Sequence, residues 1–373
     1  MMTTNKKNLG IYIHIPFCKS KCIYCGFYSK GGELSEEKEE KYVNDIIEDI
    51  ECYSREYGKD YIVDTVFIGG GTPSVLHPEN IGRILRKLRE CFEISENSEI
   101  TIETNPGTLD YEKLCLYRTY GINRLSMGVQ SLDDNILKRL GRIHNAETFR
   151  KNFFDARRAG FDNINLDFMF SVPGHSMDIW LETLKEAVSL SPEHLSLYSL
   201  QIEEGTPLFD MFVSGKIEQI SDELDREMYH TAINLLKQAG YEHYEISNFA
   251  KPGYECRHNL KYWSMDEYLG IGDSASSYIG GMRFTEAPYP EFHINTFEDN
   301  VSEFVFTGLR KTKGICLADF EKKFGKKFFD VFSDRMEELR PFIENKYIIE
   351  ENGFLRLTES GIDISNKIMS IFV

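Results

Sequence analysis

The stretch Tyr12-Ile-His-Ile-Pro-Phe-Cys18-Lys-Ser-Lys-Cys22-Ile-Tyr-Cys25 sets three cysteines within eight residues, directly after an apolar run. Thiolates at these spacings can surround one compact metal site, and soft sulfur ligands select zinc, copper or an iron–sulfur cluster. Structural zinc sites usually have four ligands, and no second cysteine pair lies near this stretch. A cubane [4Fe–4S] cluster held by three cysteines would leave one iron free for a substrate. The stretch therefore favours such a cluster over a set of unrelated buried thiols.

Apolar, β-rich runs alternate with helical patterns through the first 200 residues. The predicted strands cover 11–15, 65–68, 99–103, 124–127, 163–168 and 195–200. The helical patterns between them cover 36–57, 81–92, 110–120, 146–159 and 177–190. Six β–α units in this order predict a parallel sheet with right-handed crossovers, in which the cysteines lie on the first β–α loop.

Polar residues follow or close several of the predicted strands, namely Glu103, Gln130, Asp167 and Gln201. In a barrel the functional site collects at the C-terminal ends of many strands, whereas in an open doubly wound sheet it concentrates at one switch point. The spread of polar residues therefore favours an α/β fold built as a partial (β/α)6 barrel over the open sheet.

The pattern changes after about residue 205. One amphipathic helix is predicted over 222–239, and the segment 241–278 is rich in glycine, aromatic residues and histidine. Helical patterns cover 317–324, 328–343 and 359–371, and strands 347–350 and 354–357 are joined by the hairpin signal Asn352-Gly353. We expect a barrel with its extension over 8–290 and a small helical, winged-helix-like module over 300–373. The mixed charge of this module does not imply DNA binding.

Composition narrows the function classes. The chain has 373 residues and a formal net charge of −17, which argues against binding to a phosphate backbone. No apolar run approaches the length of a membrane span, and the N-terminus lacks the apolar region of a secretory signal, so we expect a cytoplasmic protein. Eight cysteines in such a chain indicate metal or redox use rather than a disulfide framework. We expect most of the five cysteines outside residues 18–25 to be core residues.

The spacing CxxxCxxC resembles the signature of the radical S-adenosylmethionine (SAM) superfamily. The surrounding sequence is similar to that of the oxygen-independent coproporphyrinogen III oxidase-like family. This resemblance covers nearly the whole chain. The segments that carry this resemblance are 12–18, 24–27, 67–74, 103–107, 128–131, 140–144, 165–167, 258–263 and 268–272.

The resemblance implies a cofactor site. Cys18, Cys22 and Cys25 would hold a [4Fe–4S] cluster whose open iron chelates the amino and carboxylate groups of SAM, and one electron would break the sulfonium C–S bond. SAM contacts are implied for Tyr12, Tyr24, Gly70, Gly71, Thr72, Glu103, Gln130, Arg142 and Asp167. Taken singly, several of these residues have plainer interpretations. The glycine turn could be an ordinary tight turn, Arg142 a member of a surface ion pair, and Asp167 a helix cap.

Two branches of the family share these motifs: coproporphyrinogen dehydrogenases, which are enzymes, and haem chaperones, which bind and deliver haem. The dehydrogenase has a cysteine two residues after the third cluster cysteine, where this chain has Phe27 as the chaperone branch does. Cys18 also stands too close to the start of the chain for the N-terminal extension that the dehydrogenase resemblance calls for. Both features favour the chaperone branch.

The segment His258-Asn-Leu-Lys-Tyr262-Trp263, preceded by Cys256, is the third chaperone-like feature. His258 or the Cys256 thiolate could serve as an axial ligand of haem iron, while Tyr262 and Trp263 offer flat apolar faces. The alternative is that His258 only forms hydrogen bonds in a packed loop, with Trp263 in the core. Asp273 departs from the family pattern, because relatives more often have a small neutral residue there. A carboxylate near an acidic porphyrin would be unfavourable.

These features together predict a haem chaperone that carries haem as cargo and uses a [4Fe–4S] cluster and SAM. Its expected partners are a haem-acceptor protein, which can be membrane-associated, and an electron donor, with no nucleic acid; the chain itself would be a monomer or a homodimer. The alternative is an oxidoreductase that decarboxylates the propionates of coproporphyrinogen III to vinyl groups. A third hypothesis is a radical SAM enzyme that opens or methylates the haem ring.

Overall fold

The computed structural model describes residues 6–373, which form one large sheet, two small sheets and fifteen α-helices. The strands are β1 (Lys7–Ile15), β2 (Phe17–Cys18), β3 (Lys30–Gly31), β4 (Tyr61–Gly70), β5 (Ile94–Thr104), β6 (Arg124–Gln130), β7 (Ile164–Phe170), β8 (His194–Ser199), β9 (Glu242–Glu245), β10 (Asn248–Ala250), β11 (Tyr268–Ile271), β12 (Ser276–Ile279), β13 (Met282–Thr285), β14 (Glu291–Ile294), β15 (Ile315–Cys316), β16 (Ile348–Glu351) and β17 (Phe354–Leu357).

The helices are α1 (Glu36–Tyr57), α2 (Pro78–Cys91), α3 (Tyr111–Thr119), α4 (Asp134–Arg139), α5 (Ala146–Arg158), α6 (Met177–Ser189), α7 (Pro207–Val213), α8 (Asp222–Gln238), α9 (Arg257–Trp263), α10 (Phe297–Gly308), α11 (Leu317–Phe324), α12 (Phe328–Val331), α13 (Met336–Glu344), α14 (Glu359–Asp363) and α15 (Ser365–Met369). Short 3-10 turns cover Pro73–Val75, Ser333–Arg335 and Ser370–Phe372. In the part of the chain so described, no helix is both long and apolar enough to cross a membrane.

The large sheet has twelve strands in the order β14-β13-β12-β11-β1-β4-β5-β6-β7-β8-β10-β9. The six predicted strands lie in its centre as β1, β4, β5, β6, β7 and β8, and all of them are parallel. β11 adds a seventh parallel strand beside β1, whereas β12 to β14, β9 and β10 pair antiparallel. The predicted α/β repeat with six parallel strands is confirmed, and within residues 6–373 the sheet does not close into a barrel.

The two faces of the central strands differ in polarity. Along β7, Leu166 and Phe168 are fully buried, whereas Asn165 and Asp167 alternate with them and point to the opposite face. The strand register places Asp167 level with Gly128 of β6. Parallel sheets are usually apolar on both faces. The polar residues on one face therefore indicate that this face of the sheet lines a polar site rather than a second core.

The C-terminal segment contains the predicted β-hairpin of β16 and β17, to which β15 adds a third strand. Asn352 and Gly353 have φ angles of 52° and 79°, the left-handed conformation that a two-residue hairpin turn requires. Buried side chains of this module, such as Phe320 and Phe372, belong to the same apolar cluster as the central strands. The division into 8–290 and 300–373 stays a prediction.

The single helix predicted over 328–343 is wrong, because the chain forms α12, a 3-10 turn and α13 instead. Phe332 leaves the helical conformation at φ −102° and ψ 24°. Its ring packs 4.8 Å from Phe328 and 5.1 Å from Phe372, measured between ring centres. We infer that burial of this aromatic cluster stabilises the fold more than the helical hydrogen bonds lost at the break would.

The last helix, predicted over 359–371, is also interrupted. Ile364 separates α14 from α15 with φ −117° and ψ 22°, and a 3-10 turn ends the chain. The interruption lets Ile362, Ile368 and Phe372 all reach the core. One straight helix presents a single stripe, so a bent segment buries more apolar surface here.

Candidate functional site

One cavity of about 400 Å³ opens at the C-terminal ends of the parallel strands. Eleven of the thirteen predicted site residues line it: Cys18, Cys22, Tyr24, Cys25, Gly70, Gly71, Thr72, Glu103, Gln130, Arg142 and Asp167. Ten of them come from the cysteine loop and from the ends of β4, β5, β6 and β7, which lie at one edge of the parallel sheet, and Arg142 comes from the loop between α4 and α5. Tyr12 and His258 are not among the lining residues.

The cysteine loop connects β1 to α1 and is held at both ends. Its return segment, residues 28–32, contains β3, which pairs with β2 so that Cys18 lies opposite Gly31. The Ile23 carbonyl accepts a hydrogen bond from the Leu208 amide of α7 at 2.9 Å. The Cys25 amide donates to the Cys22 carbonyl at 3.2 Å and forms a tight turn between the two thiols. The loop is therefore ordered by the protein around it.

All three cluster cysteines are free, half-buried thiols that face the cavity. Thr72 Oγ1 donates to Cys18 Sγ at 3.4 Å, and Arg142 Nη1 donates to Cys22 Sγ at 3.3 Å. Burial raises the pKa of the Cys18 and Cys25 thiols, so ligand binding there must displace protons.

The three thiols are the donor set of the site. They line one cavity, and two of their sulfurs accept hydrogen bonds from neighbouring side chains. Three thiolates fit a [4Fe–4S] cluster, in which each would bind a separate iron. Among residues 6–373 no three Cys, His, Asp or Glu side chains are gathered as ligands of a single metal ion.

The glycine turn after β4 is the base on which the cysteine loop packs. The Gly71 amide donates to the Ile15 carbonyl at 2.8 Å, and the Thr72 amide donates to the Phe17 carbonyl at 2.8 Å. A Cβ atom on Gly71 would lie 2.8 Å from the Phe17 carbonyl oxygen, and one on Gly70 would lie 2.5 Å from the His14 ring. Both glycines are therefore required first by packing within the chain, in addition to any approach of a ligand.

Glu103 and Asp167 form a pair of half-buried carboxyl groups in the cavity wall. Glu103 Oε2 accepts from the Gly70 amide at 3.0 Å. Asp167 accepts from Ser126 Oγ at 3.0 Å and from Asn165 Nδ2 at 2.8 Å. Burial, followed by repulsion from Asp167, raises the pKa of Glu103 to about 8. Burial also raises the pKa of Asp167. Both groups can therefore change protonation when a polar or charged ligand enters.

Two buried polar atoms beside these carboxyl groups lack a partner among the described residues, Gln130 Oε1 and Arg142 Nε. Gln130 has a φ of 67°, a strained conformation for a side chain of this type. The remaining Arg142 nitrogens donate to Cys22 Sγ, Asn105 Oδ1 and the Gly128 carbonyl. An acceptor and a donor without partners in the wall of one cavity can each form a hydrogen bond with a polar ligand.

Tyr12 lies behind the cavity, where its hydroxyl contacts His14 Nδ1 at 3.0 Å and its ring stacks on Phe67. His258 lies deeper still. Its Nδ1 contacts Thr65 Oγ1 at 2.8 Å, its Nε2 contacts the Tyr262 hydroxyl at 2.9 Å, and it is 1% exposed. Burial lowers the pKa of His258 to about 3. In this conformation neither ring nitrogen is available to an iron ion.

The cavity also has lining residues that the sequence analysis did not single out. Asn105 follows β5 and binds Arg142, while Tyr198 ends β8 and Glu203 covers Gly26 of the cysteine loop. A signal for Tyr198 was its place at a strand end; Glu203 lies on a loop whose path the sequence does not show.

The sequence of the chain is similar to the sequences of known proteins. The haem chaperone HemW of Bacillus subtilis strain 168 is 34% identical to the chain over 378 residues, which are 97% of this chain and 98% of that protein. The chain belongs to the HemW family. HemW of Escherichia coli K12 is 33% identical and HemW of Lactococcus lactis is 31% identical, each over at least 98% of both chains.

Two family models match this HemW-family chain. The radical SAM superfamily model covers residues 12–187, and the HemN C-terminal domain model covers residues 296–364. The cofactors of radical SAM proteins are a [4Fe–4S] cluster and SAM, as the cysteine spacing predicted. A solved structure of Escherichia coli coproporphyrinogen III oxidase HemN superimposes with a TM-score of 0.86 over 98% of this chain and 90% of that one. At 23% identity this match confirms the fold alone.

Proposed function

We propose that the chain is a haem chaperone, which binds haem and delivers it to haem-requiring proteins with the help of a [4Fe–4S] cluster and SAM. The observation that carries the proposal is the similarity to HemW proteins over nearly the full length of both chains. The cavity supports it, because three free thiols line one space together with Gln130 and Arg142, each of which has a buried polar atom without a partner among the described residues.

In this proposal Cys18, Cys22 and Cys25 hold the cluster, which supplies one electron to SAM when both are bound. Arg142 Nη1 donates to Cys22 Sγ, and the buried Nε of this residue has no partner among the described residues. Thr72 donates to Cys18 Sγ through its hydroxyl. Such hydrogen bonds to the sulfur atoms orient them as ligands of a cluster.

The wall of β4, β5, β6 and β7 would hold SAM. Glu103, once ionised, accepts hydrogen bonds from the ribose hydroxyl groups, and Gln130 Oε1 accepts from a ligand donor that it lacks within the chain. Asp167 and Tyr24 complete this wall, with Gly70 and Gly71 leaving it bare on the loop side. Tyr12 would act from behind by fixing His14 and Phe67.

Two residues, His258 and Phe27, are candidates for contact with haem. Contact between haem iron and His258 requires α9 to move away from β4, because both ring nitrogens are bonded and the ring is buried. Phe27 is 74% exposed and lines the cavity next to Cys25, so it offers an aromatic face without any movement. Replacement of each residue by alanine separates the two placements through the haem dissociation constant.

The proposed function requires two partners. A haem-acceptor protein receives the cargo, a one-electron donor reduces the cluster, and the chain works in the cytoplasm as a monomer or a homodimer. The net charge of −17 disfavours a nucleic acid among these partners.

The deciding experiment is anaerobic. The reconstituted chain receives haem or coproporphyrinogen III separately, each with SAM and a reductant. Haem is followed by absorbance and gel retention, and porphyrin products by mass. Stoichiometric haem binding without decarboxylated product is expected. A Cys22→Ser variant should lose the iron–sulfur absorbance; survival of that absorbance at full intensity would show that the cluster assignment is wrong.

The second candidate is a coproporphyrinogen III dehydrogenase, the enzyme branch that shares the cysteine spacing and the other sequence motifs of this chain. Release of carbon dioxide from coproporphyrinogen III over many turnovers would replace the chaperone proposal by this one. Phe27 argues against it, because the family resemblance places a further cysteine there in the dehydrogenase branch.

A further inference from the structure

Asp273 lies in the turn between β11 and β12, and it contacts the segment that follows the three cysteines. Its Oδ2 accepts from Lys30 Nζ at 2.7 Å and from the Tyr28 hydroxyl at 3.3 Å. Lys30 Nζ also lies 5.4 Å from the centre of the Tyr28 ring. One carboxylate therefore holds two side chains of the loop's return segment.

The return segment in turn fixes the first cluster cysteine. The Lys30 amide donates to the Pro16 carbonyl at 2.6 Å, and the Gly32 amide donates to the Cys18 carbonyl at 3.1 Å. β3 pairs with β2 over only two residues, and both residues of β3 are exposed. Such a short ladder is weak by itself, so side-chain contacts decide whether it stays in place.

The Asp273 end of this connection is anchored in the sheet. The Tyr42 hydroxyl of α1 accepts a hydrogen bond from the Asp273 amide at 3.0 Å and donates to the His14 carbonyl of β1 at 2.9 Å. His14 Nε2 contacts the Tyr28 carbonyl at 3.0 Å, which holds the same segment from the other side. The carboxylate thus has a fixed origin, while the loop that it contacts is mostly exposed.

We infer that Asp273 is a positioning residue, which clamps the return segment of the cysteine loop through Lys30 and Tyr28 and so keeps Cys18 in the cavity wall. The inference rests on the proposed function only in taking Cys18, Cys22 and Cys25 as the cluster ligands. The carboxylate that looked unfavourable beside an acidic porphyrin is paired with an ammonium group of the chain.

The test measures the alkylation rate of each cysteine in the reduced, cluster-free full-length chain, by mass spectrometry of its peptides. Asp273→Asn and Lys30→Met each remove one half of the ion pair. Because Lys30 is 51% exposed and Asp273 29% exposed, the pair is modest, and Cys18 should react about two- to fivefold faster in each variant. Cys115 on α3 is the internal control and should keep its rate.

The two variants separate positioning from a plain electrostatic effect. Loss of a negative charge favours the Cys18 thiolate, whereas loss of a positive charge disfavours it. A field effect alone would therefore speed the reaction in Asp273→Asn and slow it in Lys30→Met. Release of the loop speeds both. The charge exchange of Asp273→Lys combined with Lys30→Asp should return the Cys18 rate toward that of the wild type.

A second measurement uses the reconstituted protein. Iron release to a chelator should be about two- to fivefold faster in both single variants and slower again in the exchange. Opposite changes in the two single variants, unchanged rates, or an equal rise at Cys115 would each overturn the inference. Failure to bind haem would remove the proposed function and leave these rates untouched, so the two failures are distinguishable.

Discussion

At the scale of single residues, the chemistry of the cavity depends on groups held in an uncommon state by their surroundings. Glu103 is a carboxyl group whose pKa lies at about 8, because it is buried and faces Asp167. Gln130 keeps a strained backbone and a bare carbonyl oxygen. Such groups cost stability in the empty cavity and gain partners when a ligand enters, which is the usual arrangement at functional sites.

The Glu103 carboxyl predicts a pH dependence of stability. In the unfolded chain it loses its proton near its ordinary pKa, whereas in the folded cavity it holds the proton up to about pH 8. The folded state therefore binds more protons between these values, and stability falls as the pH rises through this window. Glu103→Gln should remove this fall, with a gain of about 1 to 3 kcal/mol at pH 8 over wild type.

Urea unfolding of the cluster-free chain at about pH 5 and about pH 8 measures this effect. Glu203→Gln is the matched control, since Glu203 lines the same cavity from the loop side. An equal pH dependence in wild type and Glu103→Gln would show that Glu103 is ionised in the folded chain.

At the scale of elements, the short helix α9 shows how a motif changes meaning with its place. It packs beside β4, where His258 joins Thr65 of the strand to Tyr262 of its own helix. Glu99 of β5 accepts hydrogen bonds from the Arg257 and His258 amides at the start of the helix. The helix is therefore packed firmly against the inner face of the sheet.

His258→Ala should destabilise the fold by about 2 to 4 kcal/mol, because it leaves a cavity and two hydroxyl groups without partners. Asn259→Ala on the same helix is the control, since Asn259 is only half-buried. Denaturant unfolding monitors both. A loss below that of Asn259→Ala would mean that α9 is not held through His258, and it would favour a mobile helix that opens to haem.

The glycine turn is the second element with a specific requirement. Gly71→Ala would bring a methyl group to about 3 Å from three backbone atoms of the β1–β2 junction. Backbone atoms cannot move aside as a flexible side chain can, so the base of the cysteine loop must shift. We expect a destabilisation of about 1 to 3 kcal/mol and a lower iron content after reconstitution. Ser20→Ala, on the exposed part of the same loop, should retain both.

At the scale of the whole molecule, a chain of polar contacts links the cavity rim to the C-terminal module. Ser199 at the rim donates to Asp225, which also accepts from Arg226 of the same helix. Arg226 Nη1 and His230 Nε2 then contact Asp363 of α14 at 3.2 Å and 2.9 Å. The module is thus attached to the strand ends by charge as well as by the shared apolar cluster.

Asp363→Asn should weaken this attachment. Because the groups are partly exposed, the loss should be about 1 kcal/mol, seen as a melting temperature lower by roughly 1 to 3 °C and as faster amide exchange in α14. Glu351→Gln is the control, since it breaks the Arg356 pair within the hairpin only. Equal effects of both changes would show that the link across to α8 carries no stability of its own.

Much of the fold and of the site could be predicted from the sequence because the signals are local. The alternation of apolar runs and helical patterns located all six central strands, and α1 has the predicted bounds of 36–57. The spacing of Cys18, Cys22 and Cys25 indicated their chemistry, and Asn352-Gly353 determined a hairpin turn. Strands β9 to β14 are at most four residues long, too short for periodicity to show.

Other properties were decided by contacts between residues far apart in the chain. His258 is hydrogen-bonded to Thr65, 193 residues away, so in this conformation its Nδ1 is not free for a ligand. Asp273 meets Lys30 across 243 residues and becomes a clamp on the cysteine loop. The sequence by itself determined which side chains can do chemistry and on which strand ends they lie. Only the tertiary structure decided which remain open to a ligand, because availability depends on the partners that folding supplies.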